Sequence, residues 1–380
     1  MFNTLKNVCF VSVLAMAAST AVAVAQETNN LPQSMVWSSY DLGSAGYSEA
    51  SAIANAVQNK FDTRVRVLPS GTSIGRLLPI KTGRAQFGFL SNEVFFASEG
   101  THEFADPTWG PQEIRVMLGR PASVGLIAAG DLGAEEVEDL RGHRVGFVRG
   151  NPALNLKTDA YLAFGGLTRD DVDVVWYGSY GALKDAIIAG QLDAMGMVPT
   201  SSLAREIESS SRGMTWLEFP PEDTAGWEAA RSLISFAEPI QQAVGAGISE
   251  EEPVWMLGYR YPMLTTYADT SEEEVYNLVK AIDESYGLFK DATSQASNWD
   301  VSKSIVPPAD APWHEGAIRY AKEQGYWTEE AQQWQEARLS RFEQIQQAWS
   351  EAREAFEQSG QPEDEWPTFW DSYRNQHVST

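Results

Sequence analysis

Residues able to do covalent chemistry are sparse in this chain. It has one cysteine, Cys9, and four histidines, His102, His143, His314 and His377. None of the histidines belongs to an HExxH pair or stands with a cysteine. No Gly-x-Ser-x-Gly is set up as a nucleophile elbow, and no phosphate-cradling Walker loop is present. Asp and Glu number 52 against 28 Lys and Arg, so acidic pairs occur everywhere and discriminate nothing. The expectation is a binding protein rather than an enzyme, with no catalytic residue, no cofactor and no metal.

The polar residues point to binding. Six short stretches are rich in hydroxyls, amides and glycine: Ser38 and Tyr40 through Ser44, Gly46 and Tyr47; Ser70, Gly71, Thr72 and Ser73; Ser91, Asn92 and Glu93; Arg149 through Asn151 to Asn155; Gly178 to Gly181 with Tyr180; and Pro199, Thr200 and Ser201. Free backbone N–H groups at helix starts make such loops suitable for a carboxylate. Arg76, Arg120 and Arg149 are candidate carboxylate forks. Tyr40, Tyr47, Tyr180 and Tyr261 are candidate walls. The bland alternative is that Ser, Asn and Gly serve as turns and caps, the tyrosines as core and the arginines as solvated side chains.

Hydrophobic periodicity supplies the elements that would position these residues. Met35 to Ser38, Val65 to Leu68 and Phe87 to Leu90 read as strands, separated by helical spacing over Ser48 to Phe61 and Ile74 to Thr82. A second unit follows: strands at Arg144 to Phe147, Val172 to Trp176 and Ala194 to Val198, with helices ending near Phe164 and Ala189. Val116 to Ala129 and Leu257 to Thr266 read as crossings between the units, where a hinge would bend. Thr270 and Ser271, followed by three glutamates, open a helix to about Phe289. Residues 218–252, rich in Glu, Pro and Gly, read as irregular surface. This alternation predicts parallel α/β sheets, whose ligands sit beyond the carboxyl ends of the strands.

The first 25 residues read as an export signal. Lys6 precedes an apolar run from Val8 to Val24, and Ala23-Val24-Ala25 offers small-x-small cleavage before Gln26. Cys9 lies inside that signal, too early for a lipoprotein site. No other segment approaches the roughly 20 apolar residues of a membrane span. The formal net charge is −24, and loss of the signal removes one lysine and no acid. So acidic a surface repels nucleic acid and anionic lipid, and any anion site needs local donors.

Several motifs carry a family resemblance. The sequence Pro312-Trp313-His314-Glu315-Gly316-Ala317-Ile318-Arg319-Tyr320 resembles the C-terminal signature of TAXI-class solute-binding proteins, the receptors of TRAP transporters. Ser70-Gly71-Thr72-Ser73 with Leu77, then Gly83-Arg84-Ala85-Gln86-Phe87, is similar to the family's Gly-Ser turn, helix and strand entry. Asp139-Leu140-Arg141-Gly142 and Ala189-Gly190-Gln191-Leu192-Asp193-Ala194 resemble its second-domain strand entries, and Glu274-Val275-Tyr276 with Lys280-Ala281 its late helix.

The resemblance implies a periplasmic-binding-protein-like fold of two α/β lobes around a ligand cleft. Lobe I would comprise 34–120 and 260–327, lobe II 121–259, and a helical extension 328–380. It implies a periplasmic, monomeric receptor that closes on a small organic anion or amino acid, such as 2-oxoglutarate or glutamate, and delivers it to TRAP membrane subunits. An ABC-type or sensor-associated receptor would share the fold. Where the family often has Val-Glu-Asn-Leu, this chain has Ile74-Gly75-Arg76-Leu77. Loss of that acid beside a gained guanidinium favours a dicarboxylate or 2-keto acid over an amino acid. In the tail, Trp334, Arg338, Phe342, Ile345, Trp349 and Phe356 recur at helical spacing, giving a helix of about 30 residues that packs on its own lobe or serves as a docking face.

Overall fold

A computed structural model describes residues 30–378. The expected export signal lies outside these residues. In chain order the first elements are β1 (Ser34–Ser39), α1 (Ala45–Phe61), β2 (Arg64–Pro69), α2 (Ser73–Lys81), β3 (Phe87–Leu90), α3 (Glu93–Glu99) and β4 (Ile114–Ala129). Then come β5 (Arg144–Val148), α4 (Pro152–Phe164), β6 (Asp173–Tyr177), α5 (Tyr180–Ile188), β7 (Ala194–Met197), α6 (Ser202–Glu208), β8 (Met214–Leu217), α7 (Thr224–Leu233) and β9 (Glu238–Gln242). The chain ends through β10 (Val254–Tyr267), α8 (Glu272–Phe289), α9 (Val301–Ser304), α10 (Glu315–Glu323), α11 (Glu329–Ser359) and α12 (Trp366–His377).

The strands run in the order β2-β1-β3-β10-β4-β7-β5-β6. Within each half the pairs β1–β2, β1–β3, β5–β6 and β5–β7 are parallel, as strand–helix–strand units require. β4 and β10 are long antiparallel partners, pairing Ile114 with Tyr267 at one end and Val124 with Leu257 at the other. The first part of β4 belongs to the β1–β3 half, and its last residues pair with β7 and β8. The fold is therefore mixed α/β with two lobes, joined through β4 and β10. One continuous core takes in Trp37, Phe87, Phe89 and Trp299 from the first lobe and Val145, Phe147 and Leu162 from the second.

The expected irregular stretch 218–252 holds α7 and β9. α7 is capped by Asp223, whose carboxylate accepts from Gly226 N, and buries Trp227 against Phe164 of α4. Ten residues in a Glu- and Pro-rich setting hid its period. α3, α6 and β8 were likewise absent from the sequence reading; each has only four to seven residues.

The tail lies along the first lobe. Gln335 of α11 exchanges hydrogen bonds with the backbone of Trp313 at 2.8 and 2.9 Å. Arg338, Arg341 and Arg374 converge on buried Glu99, at the end of α3. Burial opposes ionisation of Glu99, but hydrogen bonds from Arg341 and Arg374 hold its carboxyl below the usual range. The indoles of Trp366 and Trp370 donate to Ala105 O and Gly100 O, both at 2.6 Å.

Candidate functional site

The loops after β1, β2 and β3 face those after β5, β6 and β7 across the junction of the lobes. The two sides are joined by direct hydrogen bonds. Tyr180 N donates to Gly71 O at 3.1 Å, Ile74 N to Gly150 O at 3.1 Å, and Gly181 N to the Asp41 carboxylate at 2.9 Å. Ser202 binds Gly43 O through both its N–H and its hydroxyl. Asn151 accepts from the Ser73 hydroxyl at 2.6 Å and donates to the Tyr40 hydroxyl at 2.7 Å. The Tyr40 ring stacks on Tyr180 from the other lobe, centroids 4.9 Å apart.

These contacts enclose a cavity of about 30 Å³, lined by Tyr40, Arg76, Ser91, Asn151, Lys157, Tyr180, Tyr259 and Tyr261 among others. That volume accommodates water but no organic solute. The two sides therefore meet directly, with no room between them for an organic molecule. A larger open groove, about 720 Å³, lies at the opposite end of β3. Its Lys81, Tyr267 and Gln346 already bond to Gln112 or Glu113. The small cavity, not this groove, is where the loops converge.

Local sequence explains how the lining is held. Ser44, Thr72, Ser179 and Ser201 are side-chain caps of α1, α2, α5 and α6. Asn92 and Asn151 stand at the starts of α3 and α4 but make no cap hydrogen bond. Their amides turn into the junction instead. Tyr261 sits at a register break in the β10–β4 pairing, between Arg260 and Met263, which re-aims its side chain. A Cβ on Gly46 would lie 2.8 Å from the Tyr261 hydroxyl, so glycine gives that hydroxyl its place beside α1.

The electrostatics are those of a dry site. Arg76 and Glu93 are both buried and form a two-point ion pair, with Nη2 2.6 Å from Oε2 and Nε against Oε1. Burial works against the guanidinium charge, yet Glu93 keeps its pKa raised. Arg76 Nη1 and the Tyr261 hydroxyl are buried with no partner among the described residues. Burial raises the pKa of Tyr40, Tyr180, Tyr259 and Tyr261, so all four are neutral donors.

Not every expected site residue lies here. Arg120 lies outside this cavity's lining. It grips Glu49 through two bonds of 2.6 Å, and the Trp299 indole donates to the same carboxylate. Arg149 is exposed, lying over Trp176 and donating to its carbonyl, because its side chain leaves the strand on the outer face. Asn155 is not in a loop, since Pro152 already starts α4; its amide closes on the backbone of Val148. Ser38 donates to Arg76 O, Ser44 and Thr72 are caps, and the Ser70 hydroxyl meets the Thr72 backbone. Tyr47 is half-buried outside the cavity lining, and Pro199 and Thr200 line a separate narrow crevice near Arg120. Gly71 and Ser73 form the junction, and Asn92 and Glu93 brace it from beneath.

Gly71-Thr72-Ser73-Ile74-Gly75 does spell the nucleophile-elbow pattern between a strand and a helix. Ser73 donates to an asparagine oxygen, which is no base, and His314 is elsewhere, capping α10. Sequence reasoning missed Lys157, Tyr259 and Asp310. Lys157, the one cation on a helix that buries most of its residues, was the available signal.

Comparison with solved structures finds distant likenesses. A protein of Bordetella bronchiseptica RB50 is 16% identical, with 79% of this chain and 91% of that chain covered and a TM-score of 0.46. The periplasmic aliphatic sulphonate binding protein SsuA of Escherichia coli is 13% identical over 69% of this chain and 74% of its own, TM-score 0.41. The amino acid ABC transporter substrate-binding protein AbpA of Streptococcus pneumoniae, bound to L-arginine, is 15% identical over 68% and 94%, TM-score 0.41. No curated protein matches the sequence. No helix among the described residues is long and apolar enough to cross a membrane. The model of the NMT1-like family matches residues 42–325, which takes in every residue lining the cavity except Tyr40, and the chain belongs to that family.

Proposed function

We propose that this protein is an exported, periplasmic solute receptor, not an enzyme, that closes its two lobes on one small organic anion and passes it to membrane transporter subunits. The observation that carries the reading is the pair of unpartnered buried donors lining the junction, Arg76 Nη1 and the Tyr261 hydroxyl. Buried donors left without acceptors are costly, about 1–3 kcal/mol each, and a carboxylate admitted between the lobes satisfies them. The acid nearest to hand, Glu93, is already held by Arg76, which leaves an α-ammonium without a free carboxylate. A dicarboxylate or 2-keto acid therefore suits the site better than glutamate does.

A thermal-shift screen of the mature protein against glutarate, succinate, 2-oxoglutarate and glutamate tests this. One member should stabilise the fold by roughly 2.7 kcal/mol at a hundredfold excess over its dissociation constant. No hit, or glutamate binding tighter than 2-oxoglutarate, counts against the receptor reading or its ligand class respectively. The TAXI-like motifs favour TRAP subunits as the partner. A TRAP permease gene beside this one supports that assignment, and an ATPase gene there replaces it with an ABC-type system.

A further inference from the structure

Lys157 projects from the second turn of α4 into the junction and is only 4% exposed. Its ammonium lies 2.7 Å from Asn92 Oδ1, 3.3 Å from Ser91 Oγ and 4.6 Å from the centre of the Tyr259 ring. All of these are uncharged. The neighbouring cations are matched by carboxylates in contact, Arg76 by Glu93 and Arg120 by Glu49. Lys157 has no ion-pair partner among the described residues. Asp310 reaches it only through Asn92, whose amide donates to Asp310 Oδ2 at 2.8 Å. An ammonium held this way is under-compensated for its burial.

Given the reading of the cleft as a solute site, we propose that Lys157 supplies the positive charge that receives the solute's anionic group, and that one proton enters from solvent as the solute binds. Arg76, its charge matched by Glu93, then acts through Nη1 as a directional donor. The groups facing Lys157 are Arg76 on α2, Glu93 on α3, Asp310 before α10, Tyr259 and Tyr261 on β10, Tyr40 after β1 and Tyr180 on α5. Burial lowers the Lys157 pKa to about 7; Glu93 and Asp310 pull it up and Arg76 pushes it down. Asp310 is raised to about 6 by burial. Above about pH 7.5 the amine is mostly neutral without solute, while Asp310 stays ionised. An anion in contact favours the ammonium, raises its pKa, and so strengthens binding as pH falls through this window.

The test compares full-length mature protein with Lys157→Met, using 2-oxoglutarate as the probe. Calorimetry at pH 8.5 in two buffers of different ionisation enthalpy counts the protons. The unaltered protein should take up close to one per solute and lose about tenfold in affinity from pH 7.5 to 8.5. Lys157→Met should bind about thirtyfold or more weakly at pH 7, with no uptake and a flat pH profile. Equal affinity and equal uptake in the two proteins overturn the role of Lys157 and leave the receptor reading intact.

A second readout needs no solute. The unfolded chain protonates this lysine up to pH 10.4, whereas the folded protein releases the proton near 7. The unfolded state then binds more protons, so urea stability should rise from pH 7 to 9. Lys157→Met should lack that part of the rise. Identical profiles overturn the proposal. The expected difference in profile, with none of the four screened acids binding, overturns the receptor reading and with it the solute's place on Lys157.

Discussion

Gly71→Ala should hold the lobes apart and weaken solute binding by about a hundredfold or more. A Cβ at this position would sit 2.4 Å from Ser179 Cβ and 3.2 Å from Ser179 Cα, across the junction. The second contact is with backbone, which cannot swing away. Gly71 carries no left-handed backbone angle, so alanine suits it once the lobes are open. The variant should fold normally and lose only the closed arrangement, including the Tyr180 N to Gly71 O bond. Excluding one of two conformations lowers apparent affinity by the share of the competent state that is lost. Small-angle scattering should show the unaltered protein compacting with solute and Gly71→Ala staying extended. A variant that compacts and binds like the unaltered protein would show that the junction tolerates a methyl, and the closure mechanism would fail.

Glu49→Ala should cost about 3–5 kcal/mol of stability, read as a lower urea midpoint, with solute affinity nearly unchanged. The carboxylate is buried, paired at two points with Arg120 and bonded to the Trp299 indole. Its removal leaves the guanidinium buried and uncompensated beside the lobe crossing. The same experiment distinguishes the two roles open to Arg120. A large loss of affinity with little loss of stability would return Arg120 to the solute.

Much of the fold was legible because long elements with one buried face announce their period. α1, α8 and α11 each bury a stripe, and the crossing strands β4 and β10 are too long to belong to one lobe. Short elements such as α6 and β8 carry too few residues for a period to emerge. In the site, loops were readable and side-chain destinations were not. Ser44, Thr72 and Asn92 all suit a helix start, yet the first two cap their helices and the third turns to Lys157 and Asp310. Likewise Arg76, Arg120 and Arg149 share one chemistry. Their partners, Glu93, Glu49 and the Trp176 carbonyl, depend on which face of its element each side chain leaves and on residues up to 71 positions away.

The braced end of α3 bears on when the cleft is complete. Asn92 and Glu93 open that helix at the cleft, and Glu99 closes it in the grip of Arg338, Arg341 and Arg374. Arg338 also donates to Asp310 O, whose side chain holds Asn92. The residues that steady the cleft's floor are thus among the last synthesised. On the proposed reading, a chain exported N-terminus first would complete both rims of the cleft before the clasp beneath them arrives.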